Sequence, residues 1–96
     1  MALFYEVLVT YDIEDNKNRK KLFEELKDMG LNSIQKSVFW GELKVAEIKI
    51  LPHLFDKYCK EQDKAFFVKA NLSKDILKNS FGYDKDDFER KEFLYV

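Results

Sequence analysis

Over residues 4 to 11 the chain places Tyr5, Val7, Val9 and Tyr11 on one alternating set and Phe4, Leu8 and Thr10 on the other. The period of two, with aromatic and β-branched types on both sets, predicts a strand at least half buried on each face. From about Asn18 to Met29 the period changes: Leu22, Phe23, Leu26 and Met29 recur at helical spacing. Asn16 or Asn18 is placed to cap that helix, and Gly30 stands where a left-handed C-terminal cap belongs.

Residues 31 to 43, LNSIQKSVFWGEL, set Ile34, Val38 and Trp40 against Gln35 and Ser37 without a helical period, which predicts two short strands with a turn near Gln35 and Lys36. Ile48, Leu51, Phe55 and Cys59 then follow a helix face, interrupted by Pro52, which lacks a backbone donor. Two arrangements satisfy this: a kinked helix, which we favour, or a short strand followed by a helix beginning at Pro52. AFFVKA, residues 65 to 70, reads as a strand. SKDILKNSFGYDKDDFER reads as irregular with a short helix near Asp86 to Arg90, and EFLYV as a closing strand.

The element order β-α-β-β-α-β with an extra C-terminal strand predicts an α+β, ferredoxin-like fold. Residues 1–96 form one domain, with a core over 1–72 and an extension over 73–96. In this topology the helices cover one sheet face. A first strand apolar on both sides, in a chain of 96 residues that is 16% aromatic, needs a cover for the other face. A two-fold homodimer packed sheet against sheet supplies it.

The dimer matters for Asp12, which ends the first strand. One carboxylate is a poor magnesium site, whereas two symmetry-related ones make a plausible one, able to polarise a phosphodiester and lower the pKa of a bound water. Asp12 also has a plain structural role open to it, starting the turn into the helix. Formal net charge is −1, so the chain as a whole is not a basic phosphate binder, but Lys17, Arg19, Lys20 and Lys21 cluster early while residues 84 to 92 are acidic. That basic cluster is either a solvated helix face or a phosphate-contacting one.

Other constellations are weaker. His53, Asp56 and Cys59, at steps of three, do not converge on one point for a metal. Asp84, Asp86 and Asp87 lack the glycine and terminal glutamate of a calcium loop. Three scattered glycines exclude a glycine-rich phosphate loop, and a single histidine leaves no triad. The lone Cys59 makes no internal disulfide, and Met1 to Tyr11 fits neither a secretory signal nor a membrane span, so a cytoplasmic setting is expected.

Taken together, VTYDI, then NKNRKKLFEELKDMG, then IQKSVFWGEL resemble the Cas2 family of small ferredoxin-like CRISPR-associated subunits, in order and spacing over residues 4 to 72. The resemblance implies a homodimer that joins the CRISPR integrase, captures short double-stranded foreign DNA and helps insert it as new spacers. It also implies a Mg2+-dependent (or Mn2+-dependent) endoribonuclease or deoxyribonuclease activity, with single-stranded RNA a further substrate.

By that likeness Asp12 matches the metal-binding aspartate, Tyr11 its catalytic neighbour, Arg19 the first-helix arginine and Phe39 the aromatic of the Ser-Val-Phe motif. Lys17, Lys20 and Lys21 extend the nucleic-acid surface. EFLYV suits a strand that adds to the partner's sheet. The stretch after Ser73 is longer and more acidic than the family's shortest members need. A ribonuclease toxin on a related ferredoxin-like dimer is the alternative.

Overall fold

The computed structural model describes residues 3–72 and 75–88. Strand β1 (Phe4–Asp12) is followed by α1 (Asn16–Asp28), β2 (Asn32–Gln35), β3 (Val38–Lys44), the short α2 (Val45–Ile48), α3 (Ile50–Tyr58) and β4 (Lys64–Lys69). Two 3-10 turns, Ile76–Asn79 and Lys85–Phe88, follow. The strands form one antiparallel sheet in the order β2-β3-β1-β4, so the first strand is central, as the ferredoxin-like arrangement requires. EFLYV and Arg90 lie outside the described residues.

Helix α1 is capped one residue before Asn16 and three before Asn18, the two predicted caps. Asp15 is the N-cap, its carboxylate accepting the Asn18 backbone N–H at 2.9 Å. The other end follows the glycine signal: Gly30 has φ +94°, its N–H donates to Lys27 O and that of Leu31 to Leu26 O. Those paired bonds make a Schellman motif, and they swing Leu31 back into the core beside Leu26.

The second helical region is kinked. Lys49 alone separates α2 from α3, and it keeps helical angles (φ −65°, ψ −19°). The break precedes Pro52 because a proline in a helix acts on the carbonyl four residues back, here Ile48, which it cannot bond and which its ring crowds. Within α3 itself Pro52 lies in the first turn, where backbone donors have no helical partner. Ile48, Leu51, Leu54 and Tyr58 are buried, with Phe55 and Cys59 packed half-buried at the margin.

All of this sits on one sheet face. Val7, Val9 and Tyr11 of β1 and Phe39 and Leu43 of β3 meet Leu22 and Leu26 of α1 and Leu51 of α3. A fully buried leucine contributes on the order of 1.5–3 kcal/mol in area removed from water. On the opposite face the chain partly covers itself. Trp40 is 2% exposed because Phe88 packs edge-on against it (5.6 Å between centroids) and Tyr83 packs on Phe88. The Trp40 indole donates to Glu6 Oε2 at 2.8 Å, the Leu72 N–H donates to the same carboxylate, and Tyr83 Oη donates to Ile34 O at 3.0 Å. Nearer β4 the face stays bare: Phe66 is 55% and Val68 43% exposed, in register with Thr10 and Leu8.

Gly41 faces the helices opposite Val7, and a Cβ there would come within 2.7 Å of Leu31 Cδ2 and 3.2 Å of Leu31 Cα. The backbone of Leu31 is held by the Schellman bond and cannot retreat. Gly41→Ala is therefore expected to destabilise the fold by about 1–3 kcal/mol, as overpacking does. Urea unfolding checks this: the midpoint falls with the m-value unchanged.

Candidate nucleic-acid interface

Asp12 closes β1 on the partly bare face of the sheet, exposed, in register with Lys64 of β4. Thr10 and Phe66 form the next pair inward, and these four residues with Tyr11 and Ala65 border a shallow hollow of about 100 Å³. Among the described residues neither Asp12 nor Lys64 is engaged in an ion pair. Both charges are thus available to a ligand.

Tyr11 points the other way, since consecutive strand residues face opposite sides. It is 5% exposed, its ring lies 6.3 Å from that of Phe39 at 25°, and its N–H donates to Ser37 O at 3.1 Å. Burial pushes the Tyr11 hydroxyl above its usual pKa, with a hydrogen bond between the Tyr11 hydroxyl and the Ser37 side chain, and then the Arg19 charge, pulling against it. Phe39 is fully buried and meets Phe23 edge-on at 5.1 Å. It presents no surface to a nucleic acid and serves the site as the floor beneath Tyr11 and Phe23.

The backbone that follows Asp12 is held from two sides. Arg19, one turn into α1, donates from Nη1 to Ile13 O at 2.9 Å and Glu14 O at 3.4 Å, and from Nη2 to the Asn16 side-chain oxygen. From the α3–β4 connection, Asp63 accepts the Glu14 N–H at 3.0 Å and the Lys60 N–H at 2.8 Å. Arg19 therefore orients the loop, and because its partners are neutral oxygens its positive charge is not cancelled. Lys17, Lys20 and Lys21 are exposed on α1.

Along the chain Tyr11, Asp12 and the basic cluster are neighbours. In space they divide: Asp12 lies toward the bare sheet face, and Tyr11, Arg19 and Lys20 surround a separate hollow on the helix side with Lys36 and Ser37. Asp63, Lys64 and Lys36 were not singled out, because the strand register and loop proximity that recruit them leave no local signature. His53 and Asp56 are exposed on α3, and the Cys59 thiol is pushed up by burial and then by Asp63 and Asp56. Asp84 and Asp87 spend carboxylate oxygens on backbone donors of their own turn, Asp84 Oδ1 accepting from Asp86 N and Asp87 Oδ2 from Asp84 N.

The Lys60 N–H, then the Glu14 N–H, hold the Asp63 carboxyl below its usual range. A folded pKa lowered in this way gives stability that is complete above the unfolded value of about 3.9 and is lost as pH falls through the folded one. Asp63→Ala is expected to melt at lower temperature than the native chain at neutral pH, with the gap closing at acid pH. Paired thermal melts from about pH 7 down to about pH 2 check this; a gap independent of pH would remove the Asp63 charge from the account.

Residues 5–76 match the family model described as CRISPR associated protein Cas2. The chain is 43% identical over 89 residues to CRISPR-associated endoribonuclease Cas2 1 of Francisella tularensis subsp. novicida (strain U112), covering 93% of this chain and 92% of that one. It is 58% identical over 38 residues to CRISPR-associated endoribonuclease Cas2 of Korarchaeum cryptofilum (strain OPF8), covering 40% and 41%. A solved structure titled "Crystal structure of cas2" superposes with a TM-score of 0.61 at 29% identity, over 69% of this chain and 74% of that chain. With the matched span running from β1 through the first residue of the first 3-10 turn, the chain belongs to the CRISPR-associated Cas2 family.

Proposed function

We propose that this chain works as a homodimer in CRISPR adaptation, bridging the integrase subunit and holding double-stranded foreign DNA by its phosphates, with metal-dependent phosphodiester hydrolysis at Asp12. The observation that carries the reading is the strip of Phe66 and Val68 left exposed, with half-buried Leu8 beside them, on a sheet whose neighbouring columns are covered, and at its end Asp12, which has no ion pair among the described residues. A second copy laid on that strip removes its apolar surface from water and brings two Asp12 carboxylates toward one axis. Among the described residues the helices already cover the other face, so this face is the one free to pair.

Metal binding needs that pairing. Among the described residues no three histidine, cysteine, aspartate or glutamate side chains are grouped to hold an ion, and one protomer brings Asp12 alone, facing Lys64. Two Asp12 side chains, with substrate phosphate and water completing the shell, suit Mg2+ or Mn2+, which would polarise the phosphodiester and acidify a bound water. The chain's own contribution is to fix the loop after Asp12 through Arg19 and Asp63, and to place Lys64 beside the incoming phosphate. The names of the relatives, endoribonucleases, support phosphodiester hydrolysis as the chemistry. Membership of a CRISPR-associated family favours this reading over the toxin alternative.

Lys17, Lys20 and Lys21 supply charge without a geometry that reads bases, which suits sequence-independent backbone binding. Lys20→Glu with Lys21→Glu is expected to weaken duplex DNA binding and to flatten the slope of log K against log salt by about one for each phosphate the helix no longer neutralises. A titration series in salt measures both; an unchanged slope removes this helix from the interface. Separately, Asp12→Asn is expected to abolish cleavage of RNA or DNA in Mg2+ or Mn2+ while leaving the melting temperature and the dimer intact. Cleavage retained by the purified variant would overturn the hydrolytic part of the proposal and leave the DNA-holding part standing.

A further inference from the structure

The hollow on the helix side of β1 has a composition that the duplex-holding role does not use. It measures about 360 Å³ and is lined by Tyr11, Asn16, Arg19, Lys20, Phe23, Lys36 and Ser37. That volume is at the lower end of small-molecule sites, which begin at about 300 Å³. Its wall is largely carbon, from Phe23 and the Tyr11 ring, braced from behind by Phe39. Three cations stand around it, no carboxylate lines it, and Asn16 and Ser37 add short polar groups. Arg19 is oriented there by Ile13 O, Glu14 O and the Asn16 side chain without losing its charge.

We infer that this hollow is a subsite for one unpaired nucleotide of a single-stranded nucleic acid, the base against Phe23 and the phosphate on Arg19, Lys20 and Lys36. Each half of the lining selects against a simpler occupant. Inorganic phosphate satisfies the cations and leaves the aromatic wall wet. A duplex satisfies the cations too, but its bases stay stacked inside the helix and do not enter a pocket of this size. An unpaired nucleotide uses both, because base stacking on an aromatic side chain is indifferent to base identity while the backbone charge is read separately.

The subsite is one residue along the chain from Asp12 and on the other side of the sheet end. A strand that seats a base here passes its next phosphates around the end of β1 toward the carboxylate. The inference rests on the nucleic-acid reading above and adds to it a place in the fold where one unpaired base is held.

The test uses the full chain, 15N-labelled, titrated with adenosine 5′-monophosphate, with inorganic phosphate alone, and with a short duplex DNA. The nucleotide is expected to shift the amides of Asn16 to Lys20 and of Lys36 and Ser37, and to bind at least about fivefold more tightly than phosphate, the lower bound for one stacked base. Lys36→Glu, an exposed change, weakens the nucleotide and phosphate together. Phe23→Leu keeps the wall apolar but removes the ring, weakens the nucleotide to the level of phosphate, and leaves duplex binding as it was. Phosphate binding as tightly as the nucleotide, shifts that map elsewhere, or a Phe23→Leu protein with full nucleotide affinity would each overturn the subsite. Those results leave duplex binding and its dependence on Lys20 and Lys21 untouched, so failure of the subsite is separable from failure of the proposed function. A matched titration with the 2′-deoxy nucleotide distinguishes the two sources of the same chemistry: equal affinity assigns the site to either single strand, and a preference for the ribose assigns it to RNA.

Discussion

A strand cannot aim two consecutive side chains at the same face, and β1 ends where that rule separates Tyr11 from Asp12. Tyr11 goes inward and closes the core over Phe39; Asp12 goes outward, exposed, onto a sheet face that is partly bare. Because β1 is the central strand, paired on both sides, its register with β3 and β4 leaves no freedom to relax the alternation. The split between a structural tyrosine and an available carboxylate follows from that constraint, and so does the existence of two hollows, one on each side of the strand end.

The loop between β1 and α1 then determines how the strand end is presented. A loop has few partners of its own, and this one borrows them: Asp15 caps the helix, Arg19 reaches back to the carbonyls of Ile13 and Glu14, and Asp63 takes the Glu14 N–H from across the fold. Catalysis and binding both gain from a site held in place before the ligand arrives, since ordering costs are met on folding. Arg19 serves both sides of the strand end, bracing the loop by Asp12 and lining the hollow beside Tyr11 with its charge uncancelled.

The open sheet face is managed in two ways. Over β2 and β3 the chain folds its own segment 75–88 across Trp40, with Glu6 as the shared acceptor for the indole and for Leu72 N–H. Over β1 and β4 the described residues leave Phe66 and Val68 exposed and Leu8 half-buried. The sequence reading expected one cover for the whole face, a second copy. The chain supplies part of that cover itself, and what the described residues leave bare is the half that carries Asp12.

How much of this was legible depends on whether the signal was local. The period of two in β1, the helical spacing of Leu22, Leu26 and Met29, and Gly30 as the C-terminal cap are properties of neighbouring residues, and the sequence by itself determined them together with the element order and the position of Asp12 at a strand end. The proline signal was legible too, although it acts four residues back and set the break at Lys49. The cap on Asp15 instead of Asn16 or Asn18 turned on which of three polar side chains within four residues met a free N–H, and all three are chemically suited. Burial of Phe39, the register that sets Asp12 opposite Lys64, the hold of Asp63 on Glu14, and Lys36 and Ser37 beside Arg19 were decided only by tertiary structure. Each joins residues from separate elements, and which strands become neighbours in a sheet, and in what register, is fixed by packing of the whole chain and not by the composition of any one segment.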